Sequence, residues 1–329
     1  MTNSLNPHID RLFICILLFQ IPAFVLAGDN VLTPQQLVTR MSRATHELNY
    51  DGIFIYRHGR QLDTMRIIHK NGSNGEVERL VSLTGHPREV IRNNSSVTCI
   101  FPDNKAIIVE KSRPYDYPLA ELLEPVDAIA KYYRISVSGR DRVAGKAATI
   151  VTIQPKDNYR YGYQLWIDKK DYLLLKSELK NESGYPLEQI IFTKLDVLNS
   201  VPDALLKSSV SGKGFTRYDN TRQDAVSKEA VNHWRVKWMP NGFALSNNEM
   251  HAFTADGHEV DHMVYTDGVA MVSVFIEKVR RRSQFVPGAS KMGAVNAFTS
   301  HTNNYQVTAV GEVPPSTVEK MAVSVVNGN

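Results

Sequence analysis

Cysteine is almost missing from this chain: 329 residues hold two, Cys15 and Cys99. Cys15 falls in an N-terminal apolar stretch that reads as removable, and one remaining thiol cannot close an intramolecular disulfide. Cys15 also lacks a lipobox context, which argues against lipidation there. The surroundings of Cys99, Val97-Thr98-Cys99-Ile100-Phe101, read as a strand, so its thiol is expected to serve as a small core side chain, with intermolecular pairing as the alternative. Beyond residue 27 no run approaches the roughly 20 continuous apolar residues needed to span a bilayer. An excess of one charge is missing too. Lys and Arg number 38 against 34 Asp and Glu, for a net charge of +4. The N-terminal stretch carries one acid and one base, Asp10 and Arg11, so its loss leaves that balance unchanged. So mild and mixed an excess allows contact with anionic lipid or an acidic partner and does not indicate nucleic acid.

Constellations for catalysis are also lacking. There is no nucleophile elbow, cysteine cluster or nucleotide-binding glycine loop, and His46, His69, His86 and His301 are scattered. Ser211-Gly212-Lys213-Gly214 lacks both the glycine-to-lysine spacing and the Lys-Ser/Thr pair of a phosphate loop. His258-Glu259-Val260-Asp261-His262 does satisfy the zinc-protease pattern, but that chemistry needs a helix to bring positions i and i+4 together. Here the motif follows Asp256-Gly257 and runs into Val264-Tyr265, so a strand is expected. On a strand the two histidines stand about 13 Å apart, beyond the reach of one metal. The expectation is no catalytic residue, no metal and no cofactor.

What is present begins with an export signal over residues 1–27. Arg11 precedes an apolar core from Leu12 to Phe19, interrupted by Gln20 and Pro22. Val25-Leu26-Ala27 offers small residues to a signal peptidase, with cleavage expected between Ala27 and Gly28. Thr33 and Pro34 then open a helix to Leu48, with Leu37, Met41, Ala44 and Leu48 on one face.

From Ile53 the chain alternates short β-branched and aromatic runs with Gly, Asn and Pro clusters, as antiparallel hairpins require. In Glu76-Val77-Glu78-Arg79-Leu80-Val81 the valines and the Arg79 stem share one face and the glutamates the other, which predicts a sheet with one wet face. Pro114 to Pro118 leads into a second helix, where Leu119, Leu122, Leu123, Val126, Ile129 and Tyr133 form a stripe. Strands resume and run to Leu195, about eleven in all, and so long a meander must curl or close. Curling leaves an apolar pocket, with the two helices as lids. Residues 206–230, with Ser208-Ser209-Val210-Ser211-Gly212-Lys213-Gly214, read as a linker between domains at 28–205 and 231–326. The second domain, six strand candidates from Trp234 on and a closing helix after Pro314-Pro315, is a smaller α+β unit. The expected class is α+β, mostly antiparallel β.

A resemblance is carried by Leu48 to Tyr56, Gly75 to Leu80, Arg88 to Arg92, Tyr161 to Asp168 and Leu187 to Thr193. In the second domain it continues through His262 to Gly268, Val274 to Glu277, Gly293 to Phe298 and Gly311 to Pro315. In order and spacing these blocks resemble the RseB/MucB family of periplasmic regulators of the envelope-stress sigma factor, over both domains. The resemblance implies a lipoprotein-carrier-like, unclosed β-barrel with helices at its mouth. It implies a non-enzymatic protein that grips the periplasmic part of a membrane anti-sigma factor and shields it from the initiating protease. Release would follow the sensing of lipopolysaccharide or another acyl-chain ligand, such as a mislocalised lipid or lipoprotein. The protein would then sit in the periplasm, peripheral to the inner membrane through its partner, and a homodimer is admitted. A periplasmic lipid or lipoprotein carrier is the alternative, and a metalloprotease the third reading. Lys278, Arg280, Arg281 and Arg282 form the densest basic run. They are the candidates for lipid headgroups or an acidic partner segment, although their segment is the least family-like.

Overall fold

The computed structural model describes residues 32–73, 75–112, 126–219, 221, 234–253, 258–279 and 287–328, with the backbone alone for 249–253, 258 and 259. Helix α1 (Pro34–Glu47) starts with the expected residues. Thr33 Oγ1 accepts from Gln36 N (3.1 Å) while the Gln36 side chain accepts from Thr33 N (2.9 Å), a reciprocal capping box. Leu37, Val38, Met41 and Ala44 are buried, so the apolar stripe faces the sheet.

Six consecutive strands follow as hairpins: β1 (Asn49–His58), β2 (Gln61–Gly72), β3 (Gly75–Ser82), β4 (Glu89–Asn93), β5 (Ser96–Phe101) and β6 (Ala106–Lys111). The short α2 (Val126–Ile129) precedes a second meander: β7 (Tyr133–Val143), β8 (Lys146–Pro155), β9 (Gly162–Asp168), β10 (Leu174–Lys180) and β11 (Pro186–Leu198). The meanders join where β11 pairs antiparallel with β1, Phe54 opposite Phe192 and Tyr56 opposite Ile190. After α3 (Asp203–Leu206), β12 (Thr216–Asp219) runs parallel to β6. The order is β12-β6-β5-β4-β3-β2-β1-β11-β10-β9-β8-β7, so β12 and β7 remain as edges and the barrel is unclosed.

A separate six-stranded antiparallel sheet follows: β14 (Ala244–Phe253), β15 (His258–Thr266), β16 (Met271–Lys278), β17 (Gly288–Met292), β18 (Val295–Thr302) and β19 (Tyr305–Gly311). Helix α4 (Pro315–Val323) covers it, and β13 (Trp234–Val236) pairs with β20 (Val325–Asn327). Val272, Val274, Ile276, Val307 and Ala309 project from alternate strand positions to meet Val318, Met321 and Ala322 of α4. This is the smaller α+β unit.

Three expectations need revising. Tyr133 opens β7 instead of ending a helix, although it is buried beside Val126 and Ile129 as the stripe required. Leu119, Leu122 and Leu123 lie outside the described residues. In strand β3 the glutamate face turns inward instead of to the outside. Glu78 and Leu80 face the hollow of the barrel, and Val77 packs against Ile68, Val201 and Leu205 on the other side. On that side Arg79 is buried, donating to Glu89 Oε2 (3.3 Å) and Leu205 O (3.0 Å). Finally, the start of the segment read as linker is docked. Ser209 donates through its hydroxyl and its N–H (3.3 Å) to Glu89, and β12 pairs with β6. Its small polar composition signalled surface backbone and could not reveal an available sheet edge.

Candidate functional site

The barrel encloses a cavity of about 410 Å³, within the roughly 300–1,000 Å³ range of ligand pockets. Alternation along β1 places Tyr50, Phe54 and Tyr56 on its wall, with Met65 and Ile67 from β2 and Ile190, Phe192 and Leu195 from β11. Gly52 belongs to the same face and leaves room for its neighbour, since a Cβ there would lie 2.6 Å from the Phe192 ring. Met41 and Thr45 of α1 close one end, so the first helix is a lid as expected. Its far end is tied down by histidines. His46 Nδ1 lies 3.1 Å from Glu76 Oε1. Buried His69 stacks on Tyr50 (4.8 Å between centroids) and meets Leu48 O at 2.8 Å. Burial would raise the Glu76 carboxyl, but hydrogen bonds from His46 and His69 bring it down to about 2.

At the opposite end of β1 the wall turns polar. Tyr56 donates its hydroxyl to Glu188 Oε2 (2.8 Å). Glu312, in the segment after β19 of the second sheet, lines the same cavity, as does Tyr163 of β9. Burial, then the neighbouring Glu188 charge, lifts the Glu312 carboxyl to about 7. Burial, then Glu188, also raises the Tyr56 phenol, so it stays a donor. The remaining wall carries Glu78 and Arg88. The apolar lining suits a hydrocarbon chain, and three carboxyl groups against one guanidinium disfavour a buried phosphate.

The two sheets meet through the loop between β8 and β9. Arg160, whose side chain is fully buried, pairs through Nη1 with buried Asp267 of the second sheet. Its Nη2 reaches Asp157 Oδ2 (2.9 Å) and Asn241 O (2.7 Å), and Tyr133 donates to Asp267 Oδ2 (2.9 Å). The other Asp267 oxygen accepts from Val269 N (2.9 Å) and Ala270 N (2.7 Å), so every polar group is answered. Tyr159 meets Trp238 edge-on (5.1 Å between centroids), and Asn296 donates to the Tyr161 hydroxyl (3.0 Å). Gly242, at φ +96°, lets the Tyr132 ring approach to where a Cβ would sit 2.4 Å away. Val269 completes the cluster formed by α1, α2, β7, β8 and β9.

The sequence-stated candidates are distributed otherwise. Ala27 and Gly28 lie outside the described residues, as do Arg280, Arg281 and Arg282. Lys278 is exposed at the end of β16, opposite Tyr305. Gly311 stands six residues further along β19, so Lys278 is about 20 Å from the Glu312 end of the cavity. The H-E-x-x-H stretch is strand β15. His262 Nε2 lies 3.0 Å from Ser273 Oγ, and its ring stacks on Phe275 at 4.3 Å. Among the described residues no group of three or more His, Cys, Asp or Glu is arranged to hold a metal, and no helix is long and apolar enough to cross a membrane. Glu188, Glu312, Arg160 and Asp267 were not singled out from the sequence. The available signal was a lone carboxylate beside an apolar run, as in Glu188-Gln189-Ile190-Ile191-Phe192, which alternation alone cannot assign to a cavity.

Two family models match the chain: the MucB/RseB N-terminal domain over residues 33–210 and the MucB/RseB C-terminal domain over residues 228–326. The sigma factor AlgU regulatory protein MucB of Pseudomonas aeruginosa is 30% identical over 297 residues, covering 88% of this chain and 89% of that protein. The sigma-E factor regulatory protein RseB of Haemophilus influenzae is 26% identical over 307 residues, covering 91% and 93%. Among solved structures, the complex of Pseudomonas aeruginosa MucA and MucB matches with a TM-score of 0.71 and 27% identity, over 90% of this chain and 99% of that one. MucB in complex with MucA(peri) matches with a TM-score of 0.69 and 28% identity, over 89% and 98%.

Proposed function

The chain belongs to the MucB/RseB family, and on that premise we propose that it represses an envelope-stress sigma factor by holding the periplasmic part of an anti-sigma factor. The observation that carries this reading is likeness across both domains to a MucB bound to MucA. The relatives named above are regulatory proteins and their names describe no enzyme. A simple lipid carrier would have no need of a second sheet locked to the first through a buried ion pair.

Holding the partner shields it from the initiating protease, and release follows when the cavity takes an acyl chain. The support is the cavity's apolar wall under α1. Each methylene moved there from water contributes about 0.8 kcal/mol. Phosphates of lipopolysaccharide stay outside, where Lys278 and Arg280–Arg282 are the proposed contacts. The leader ending at Ala27 delivers the protein to the periplasm, with domains at 28–205 and 231–326.

Affinity capture with the tagged mature protein from solubilised envelopes, read by mass spectrometry, tests the partner. The expected result is a membrane anti-sigma factor as the dominant species. Its absence, under conditions that recover other envelope complexes, would overturn the reading.

A further inference from the structure

Where Glu188 and Glu312 line one cavity, the domain interface is unlike the rest. Around Arg160 and Asp267 each charge has an opposite partner. At the cavity end, carboxyl groups from two different domains line one largely apolar wall. Glu188 comes from β11 and Glu312 from the segment after β19, and both line the cavity. The turn at Gly293 brings the second domain against the same place, since a Cβ there would lie 3.4 Å from Glu188 Oε1 and 3.7 Å from His58. Like charges in one apolar cavity cannot both be ionised without cost, and protonation of Glu312 removes the conflict.

We propose that Glu188 and Glu312 form a proton-operated latch between the two domains, closed when Glu312 is protonated and opened when it is ionised. The Arg160–Asp267 pair is the fixed point about which the opening occurs. Other titratable groups do not replace the carboxyl pair. From the first domain, Tyr56 and Tyr163 face Glu312, and both phenols are held neutral by burial and the carboxylates around them. His58 stacks on Tyr56 (5.2 Å) and is drawn towards Asp63, with Nε2 at 3.9 Å from Oδ2. Arg57 turns to the other face of β1 and donates to Pro186 O (3.0 Å). Arg88 and Glu78 lie further round the same cavity.

The direction follows from linkage. The docked arrangement holds the Glu312 proton up to about pH 7, above the ordinary carboxyl range, so docking takes up a proton. Docking is therefore strongest in the ordinary carboxyl range, weakens as pH rises from there to about 7, and is level above that. If the cavity takes an acyl chain, as proposed above, the chain removes further water from Glu312 and favours its protonated form. Acyl binding and proton uptake then reinforce each other.

The test needs no lipid in its first arm. In the protein from Gly28 onward, with Cys99→Ser, spin labels are placed at Leu62→Cys and Met292→Cys, exposed positions flanking the latch. The label separation is measured at about pH 5 and about pH 8.5. The expected result is a longer separation at high pH, with the change complete by about pH 7, absent in Glu312→Gln, which stays closed. A separation independent of pH, or a transition that persists in Glu312→Gln, would overturn the latch. The second arm measures affinity for monopalmitin, whose uncharged head does not titrate. Binding should weaken above about pH 7 by up to about tenfold per pH unit in wild type and remain flat in Glu312→Gln. A flat wild-type profile overturns the coupling. A moving latch with no monopalmitin binding at any pH overturns the acyl-chain reading and leaves the latch.

Discussion

Arg160 of the β8–β9 loop and Asp267 of the β15–β16 turn, 107 residues apart in sequence, form an ion pair with no solvent exposure on either side chain. The contact makes two sheets with separate cores into one mechanical object. Removing one partner strands a buried charge, which typically costs about 3–5 kcal/mol, whereas neutralising both is far milder. Arg160→Met is therefore expected to lower the unfolding free energy by about 3–5 kcal/mol, or to split unfolding into two transitions. Adding Asp267→Asn, which keeps an acceptor for the Val269 and Ala270 amides, should recover most of the loss. Urea unfolding of the two single variants and the double variant checks this, and additive losses would contradict it.

Filling the cavity should separate lipid response from partner binding. Leu80 lines the void and is not fully buried. Leu80→Phe should cost less than about 1.5 kcal/mol and weaken monopalmitin binding at least about tenfold, the loss of about two buried methylenes. Affinity for the anti-sigma segment should stay unchanged, as calorimetry with each ligand would show.

The segment after α3 should resist proteases further than its composition suggests. Ser209 is held by Glu89 and Thr216–Asp219 by β6, so limited trypsin treatment should spare Lys213 and Arg217. Glu89→Ala should expose them, because it also leaves buried Arg79 without its carboxylate. Early cleavage of wild type at Lys213 would contradict the docking.

His262→Ala should cost about 1 kcal/mol, from one hydrogen bond and one ring contact, and leave the zinc content of the purified protein unchanged. Elemental analysis beside thermal unfolding measures both. Loss of stoichiometric zinc in the variant would overturn the strand argument for H-E-x-x-H.

Much of the fold was legible because local signals and tertiary structure agreed. Thr33-Pro34 and the 3.6-residue pattern fixed α1, and turn clusters such as Asn93-Asn94-Ser95-Ser96 separated the strands in order. The Asn93 side chain accepts from Ser95 N (3.0 Å) and Ser96 N (2.9 Å), the turn chemistry such a cluster promises. Strand β12 was not legible, since four exposed residues carry no burial pattern and form a strand only because the β6 edge is present. The site was legible as a hollow and not as chemistry. Glu188, Glu312, Arg160 and Asp267 gain meaning from partners about 110 to 125 residues away, and no window of sequence holds both halves. The quoted aromatics of Tyr161-Gly162-Tyr163 read as ordinary core. Tyr161 binds Asn296 across the interface, and Tyr163 lines the cavity.

The measurement that bears most directly on the account is the affinity of the protein for the periplasmic segment of its anti-sigma factor, taken with and without lipopolysaccharide. The account predicts a complex in the absence of lipid and an affinity lowered by about 5- to 150-fold in its presence, the usual range for couplings of about 1–3 kcal/mol. Equal affinity in the two conditions, or no complex in either, would contradict it.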